Sequence, residues 1–293
     1  MTSEVRVSAQ QVKELRDKTG APMMDCKSAL TEAGGDLAQA EVVLRKRGIA
    51  TAQKKAGRTA QEGLVAALVR PDASVAALVE INCESDFVAR TEDFQELLAQ
   101  TAELVAGNNP ASLEGLMGVA YPGGGSLQDA VGAKVGKLGE NIVVRRFARY
   151  ERDGNGWIGS YLHHGKIGVL VEVSSDQPAG DALREAAKDL AMHVAASDPR
   201  FVRREEVDPA TLEQERDIQK TRALAEGKPE KILEKIVEGR LGKFYEEICL
   251  LEQPFIRDTN ISVGQWLASQ SAQAGAVDVK RFTRYKVGEG VTA

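Results

Sequence analysis

Three histidines and three cysteines are the residues of this 293-residue chain best suited to acid–base, nucleophilic or metal chemistry, and their spacing supports none of it. His163 and His164 are adjacent and His193 stands alone, so no pair has the H-x-x-x-H spacing that sets two imidazoles on one helix face. Cys26, Cys83 and Cys249 are odd in number, far apart and without a C-x-x-C. That pattern fits free thiols in a reducing cytoplasm better than a disulfide framework or a zinc site. There is no G-x-S-x-G elbow, and no cysteine has an evident histidine partner. The stretch from Tyr121 through Gly123-Gly124-Gly125 to Gly132-Ala-Lys-Val-Gly-Lys137 resembles a phosphate loop only loosely. Its spacer is one residue short, Leu138 stands where Ser or Thr would hold magnesium, and no apolar strand precedes it. No catalytic residue, metal or cofactor is expected, and the chain does not read as an enzyme.

A different chemistry is suggested by residues 81–90, INCESDFVAR. A run of β-formers ends at Cys83, and an acid beside a large aromatic, Asp86-Phe87, precedes the next helix signal at Thr91. An aromatic at such a corner is either packed into the core or displayed to a partner.

The elements that must position this corner can be read along the chain. Ser8 and Gln11 have capping-box spacing, with Val12 and Leu15 beginning an apolar stripe, and Gly20-Ala21-Pro22 ends that helix. A second helix is predicted from Met24 to Ala33. A third is capped by Asp36 and has Lys46 and Arg47 near its end. Residues 1–50 thus read as a three-helix unit and residues 51–62 as a polar linker.

Beyond the linker the sequence repeats itself. Residues 76–81, AALVEI, match 168–173, GVLVEV; each follows another strand-like run and precedes an amphipathic helix. Residues 144–150, VRRFARY, match 279–285, VKRFTRY, five identities in seven, each after a helix starting near Ser126 or Ser262. The fold class predicted is α+β: a duplicated strand-strand-helix-helix-strand core with small, mostly antiparallel sheets. The first core unit spans 63–157; the second spans 158–207 and 253–293. Inserted in the second unit, residues 208–252 carry two charged helical runs; few apolar residues line the first (Leu212, Ile218, Leu224), and the two runs are expected to pair and protrude as an antiparallel hairpin.

The two copies differ at the corner. Glu80 and Phe94 are fourteen positions apart, whereas Glu172 and Leu183 are eleven apart, through a short polar turn with no aromatic. The scaffold therefore does not need Phe87 for packing there. His193 aligns with Leu104, so packing and a partner contact both stay open for it.

Overall composition adds bounds. Charged residues make up 28% and hydrophobic ones 43%, ordinary for a globular chain. A net charge of −5 argues against broad capture of nucleic acid or anionic membrane. No apolar run approaches the roughly 20 residues that span a bilayer, and the start lacks the pattern of a secretion signal.

Seven collinear segments then point to a family. Residues 12–20 (VKELRDKTG), 23–30 (MMDCKSAL), 85–90 (SDFVAR), 139–142 (GENI), 191–196 (AMHVAA), 235–240 (KIVEGR) and 253–255 (QPF) closely resemble bacterial translation elongation factor Ts. The resemblance runs from about residue 8 to 290. It implies a ubiquitin-associated-like N-terminal domain, a duplicated core and a protruding coiled coil. It further implies guanine-nucleotide exchange on the GTPase elongation factor Tu in the cytoplasm, without covalent chemistry. In that family the Asp-Phe pair enters the nucleotide domain, a role that falls here to Asp86 and Phe87 with their neighbours Ser85 and Val88. Lys27, Ile167, His193 and Ile256 match further contact positions. Neither direct nucleic-acid nor membrane binding is implied, and a homodimer through the core or the hairpin stays open. Pro22 departs from the family's common Gly. Longer members continue past the Val-Gly-Glu-Gly segment with a helix that touches the GTPase, a contact expected here to be absent or replaced.

Overall fold

A computed structural model describes residues 7–291. The outer ends of the first and last expected units, 1–6 and 292–293, lie outside the described residues. Helix α1 (Ala9–Thr19) carries the Ser8–Gln11 capping box and ends on Gly20 in the left-handed region, φ 66°. Helix α2 (Met23–Glu32) follows Pro22, and α3 (Leu37–Lys55) is capped by the Asp36 side chain. Val12, Leu15, Cys26, Ala29, Leu30 and Ala40 form the core of this unit. The third helix runs on to Lys55, over the start of the span read as linker. Tertiary packing is the reason. Gly48 lets α3 cross α7 (Leu127–Leu138) closely: a Cβ there would sit 3.0 Å from the Gly132 carbonyl oxygen.

The two repeats fold alike. In the first, β1 (Glu62–Val69), β2 (Val75–Cys83) and β3 (Val143–Glu151) make an antiparallel sheet in the order β1-β2-β3. Between β2 and β3 come α4 (Asp86–Ala89), α5 (Glu92–Asn108), α6 (Leu113–Met117) and α7. In the second, β4 (Gly156–His163), β5 (Ile167–Ser174) and β8 (Asp278–Lys286) make the equivalent sheet, β4-β5-β8. Its helices are α8 (Asp181–Ser197) and α11 (Val263–Ala274). Each sheet has a register shift at the same place, Glu80/Ile81 and Glu172/Val173. The α+β class holds.

Alternation along the strands gives each sheet two apolar faces. Ala77, Val79, Ile81 and Cys83 face α5 and α7 with Phe94, Leu97 and Val131. Val169, Val171 and Val173 face α8 and α11. The other faces, with Ala76, Leu78, Tyr150, Ile158 and Leu170, pack against each other. Gly168 lies at this contact, where a Cβ would collide with Val65.

A polar knot of two reciprocal trios is set into the contact. Glu80 accepts from Arg146 Nε at 2.6 Å, and Arg146 lies over the ring of Tyr285 from the other sheet, 4.2 Å away. Glu172 accepts from Arg281 Nε at 2.7 Å, and Arg281 lies over Tyr150, 4.1 Å away. Of the residues that repeat in VRRFARY and VKRFTRY, Arg146 and Arg281 with Tyr150 and Tyr285 therefore join the copies.

The inserted segment forms α9 (Pro209–Ala225) and α10 (Glu230–Ile248), with Leu212 against Phe244 and Tyr245. Ala223 is buried, while Ile218 and Leu224 are half-exposed. Of the apolar residues of α9, Leu212 thus joins a buried cluster and Ala223 is fully buried, while α10 buries Leu233, Val237 and Leu241. A short ribbon of β6 (Pro254–Phe255) and β7 (Asp258–Ser262) follows, which periodicity does not reveal in so few residues.

Candidate functional site

Ser85 leaves β2 in extended conformation and becomes the N-cap of the single helical turn α4, its hydroxyl accepting from Val88 N at 3.4 Å. Val88 and Ala89 turn inward and join the first core. Phe87, on the opposite side of the turn, is 79% exposed, the most exposed large apolar residue among those described. The ring is displayed and not packed against its own sheet, so the core reading of this aromatic is excluded. The Asp86 carboxylate points back along the turn to Arg90 Nη2 at 2.7 Å. Exposed pairs of this kind contribute about 0–1 kcal/mol, so Asp86 is easily redirected to another donor.

The residues singled out from the sequence are not brought together. Ser85 and Val88 flank Phe87, but Ser85 is engaged within the corner and Val88 is buried. Lys27 is exposed on α2 beside the uncovered Met23 and Met24, in the separate N-terminal unit. Ile167 begins β5 and is partly packed on the second core. His193 is fully buried, so it is not displayed as a direct contact. Its Nε2 is 2.9 Å from Gln253 Oε1, and its Nδ1 accepts from Ile256 N at 3.2 Å. That pattern fits a neutral ring, with Nε2 the donor to Gln253. The imidazole stacks near Phe255, which in turn stacks on Trp266 at 4.2 Å. His193 thus holds the β6–β7 ribbon, and Ile256 at its turn is 44% exposed. Sequence alignment with Leu104 shows only that the position is half-apolar; the link to Ile256 needs the fold.

Burial lowers the His193 pKa from its ordinary 6.5, opposed by the bond to Gln253. The unfolded chain takes up this proton first, so stability from His193 is complete above about pH 6.5 and is lost as pH falls below it. The melting temperature is expected to drop between about pH 7.5 and pH 5.5, and His193→Gln to flatten that slope. Equal slopes for both proteins in calorimetry would contradict this account.

Among the described residues no group of three or more His, Cys, Asp or Glu could hold a metal ion. Burial pushes the Cys83 and Cys249 thiols up to about 12 and about 11, away from the thiolate form that attacks. No described helix is long and apolar enough to cross a membrane.

The family described as Elongation factor TS matches residues 84–289, beginning at the Asp86–Phe87 corner. Elongation factor Ts of Clostridium botulinum is 45% identical over 287 residues, covering 97% of this chain and 94% of its own length. The chain belongs to the elongation factor Ts family. Elongation factor Ts proteins of Clostridium acetobutylicum, 45% identical over 288 residues, and of Trichlorobacter lovleyi, 44% over 292, are similar over the same shares. As a family member this protein is a translation elongation factor. Within that family frame, Phe87 is the exposed aromatic of residues 85–90.

Proposed function

We propose that this protein is the guanine-nucleotide exchange factor for elongation factor Tu, releasing GDP by inserting the Asp86–Phe87 corner into the GTPase's nucleotide domain. The observation that supports this most is the exposed Phe87 on an otherwise anchored helical turn, with Val88 and Ala89 buried beneath it. A large ring kept in water is poised to gain free energy elsewhere, about 1.5–3 kcal/mol when buried in a partner.

That gain does work through linkage. A factor that weakens GDP binding is itself bound more weakly by the GDP form, by the same ratio. Tight nucleotide binding rests on a cation and on backbone donors around the phosphates. Phe87 stabilises the partner conformation in which those donors are displaced, because only there can its ring be buried. Asp86, after leaving Arg90, supplies a carboxylate that competes for the same donors or cation. GDP leaves the transient ternary complex, and GTP then displaces the factor. Lys27 on α2, with Ile167 and Ile256 on the second unit, widen the contact, and His193 sets the position of Ile256. No bond is made or broken in any step, so the protein is not an enzyme in the covalent sense.

The test is release of a fluorescent GDP analogue from elongation factor Tu. Micromolar additions of this protein should accelerate release in proportion to the complex formed. An unchanged release rate with demonstrated mixing would exclude the exchange function.

A further inference from the structure

The aim of Phe87 depends on a residue that is neither near it in sequence nor part of its turn. The β2–β3 ladder ends at Asn82 opposite Val143 and the β1–β2 ladder at Cys83 opposite Glu62, so the amides of Glu84 and Ser85 have no strand partner. Glu140 takes them. Its Oε2 accepts from Glu84 N at 3.1 Å and from Ser85 N at 2.9 Å, and its Oε1 accepts from the Ser85 hydroxyl at 2.5 Å. Glu84 returns the contact: its Oε1 accepts from Asn141 N at 2.7 Å and lies 3.5 Å from Arg58. The Asn141 amide donates to the Arg58 carbonyl at 2.8 Å. A reciprocal clasp therefore ties the end of β2 to the loop after α7, about which both copies can be compared.

Ser85 is the hinge of this clasp. Its hydroxyl donates to Glu140 while accepting from Val88 N, so the carboxylate fixes the rotamer that caps α4. With the cap fixed, the direction of the Phe87 Cα–Cβ bond is fixed. The exposed ring has little packing of its own to aim it.

The second copy supplies an internal control. There Ala276 follows the C-terminal Gly275 of α11, as Glu140 follows Gly139 of α7. Half of the tie is kept: Ala276 N donates to Asp176 of the corner at 2.8 Å, as Asn141 N donates to Glu84, but the Ser175 hydroxyl donates to the Ala274 carbonyl at 2.6 Å and not to a carboxylate. No carboxylate reaches that corner from the loop, and no aromatic stands on it. The carboxylate clasp accompanies the copy that displays a ring.

We propose that Glu140 is the positioning residue that preorganises the Asp86–Phe87 corner for insertion, a role that rests on the exchange reading above. A carboxylate accepting three hydrogen bonds restricts the corner before binding, so little ordering is left to be done in the complex. Losing it lets the ring sample directions in which it cannot enter, and a displacement of about 1 Å at a reacting geometry is enough for large rate losses.

The test combines hydrogen exchange on the free protein with stimulated GDP release from elongation factor Tu, for wild type, Glu140→Ala, Glu140→Gln, Phe87→Ala and the double variant Glu140→Ala/Phe87→Ala. Glu140→Ala should speed exchange of the Glu84 and Ser85 amides by about tenfold or more and lower stimulated release by about tenfold, with amides of β2 unchanged. Glu140→Gln, which keeps one acceptor oxygen, should recover part of both. In the Phe87→Ala background Glu140→Ala should have no further effect, because its action passes through the ring. Additive losses in the double variant, loss of β2 protection in Glu140→Ala, or corner amides as slow as wild type would each overturn the positioning role. Stimulation by wild type with an unaffected Glu140→Ala variant overturns that role alone. Absence of stimulation by wild type overturns the exchange reading and the role with it.

Discussion

Phe87→Ala should lower stimulated GDP release by about ten- to hundredfold while leaving the fold intact. The magnitude follows from the ring's transfer from water into the partner, about 1.5–3 kcal/mol, at about 1.4 kcal/mol per factor of ten. The ring is 79% exposed in the free protein, so its removal deletes no core contact and the melting temperature should shift by less than about 1 °C. Both readouts are needed. A large rate loss with unchanged stability places the effect in the complex, as does a weaker dependence on Phe87→Leu, which keeps an apolar side chain. An unchanged rate with Phe87→Ala would refute the wedge while sparing exchange by docking of the other surfaces. Asp86→Ala should be milder, because the carboxylate is already neutralised by Arg90 and must exchange one partner for another.

Glu80→Ala should produce the larger loss of stability, about 2–3 kcal/mol, with a melting temperature lower by roughly 5–10 °C. Glu80 is fully buried between the sheets and its carboxylate has three donors: Arg146 Nε at 2.6 Å, Asn82 Nδ2 at 3.1 Å and Gly288 N at 2.9 Å. Removing it leaves the Arg146 charge, whose side chain is 29% exposed, with only the longer 3.4 Å contact to Glu289, and frees the turn after β8. The equivalent Glu172→Ala should cost about 1 kcal/mol, because Arg281 is 47% exposed and can be rehydrated. Calorimetry on both variants tests the comparison internally. Equal losses would show that the reciprocal trios are energetically equivalent despite their different solvent access.

Much of the fold was legible in the residues. The capping box read at Ser8 and the helix starts read near Ser126 and Ser262 all recur in the structure, because a cap is a local hydrogen bond between neighbours in sequence. The repeated runs of β-formers at 76–81 and 168–173 mark strands, again from residues close together in sequence. The packing of α9 was less legible: of its few larger apolar residues Ile218 and Leu224 stay half-exposed, while the small Ala223 is fully buried. The continuation of α3 to Lys55 was hidden too, since a polar helix end is stabilised by α7, far along the chain.

The candidate site divides in the same way. Comparing two copies within one sequence was enough to show that Phe87 is not required by the scaffold, and the residues of 85–90 carry the family. The sequence could not show that Ser85 and Val88 serve the corner from within, or that the buried His193 accepts from the Ile256 amide. Nor could it bring Glu140 to Ser85, 55 residues away, or set Arg146 on Tyr285 of the other copy. Local signals are encoded by residues within a turn or a strand of each other and survive being read singly. Contacts between distant segments exist only once the hydrophobic faces have been buried, and that burial alone decides which polar side chains meet.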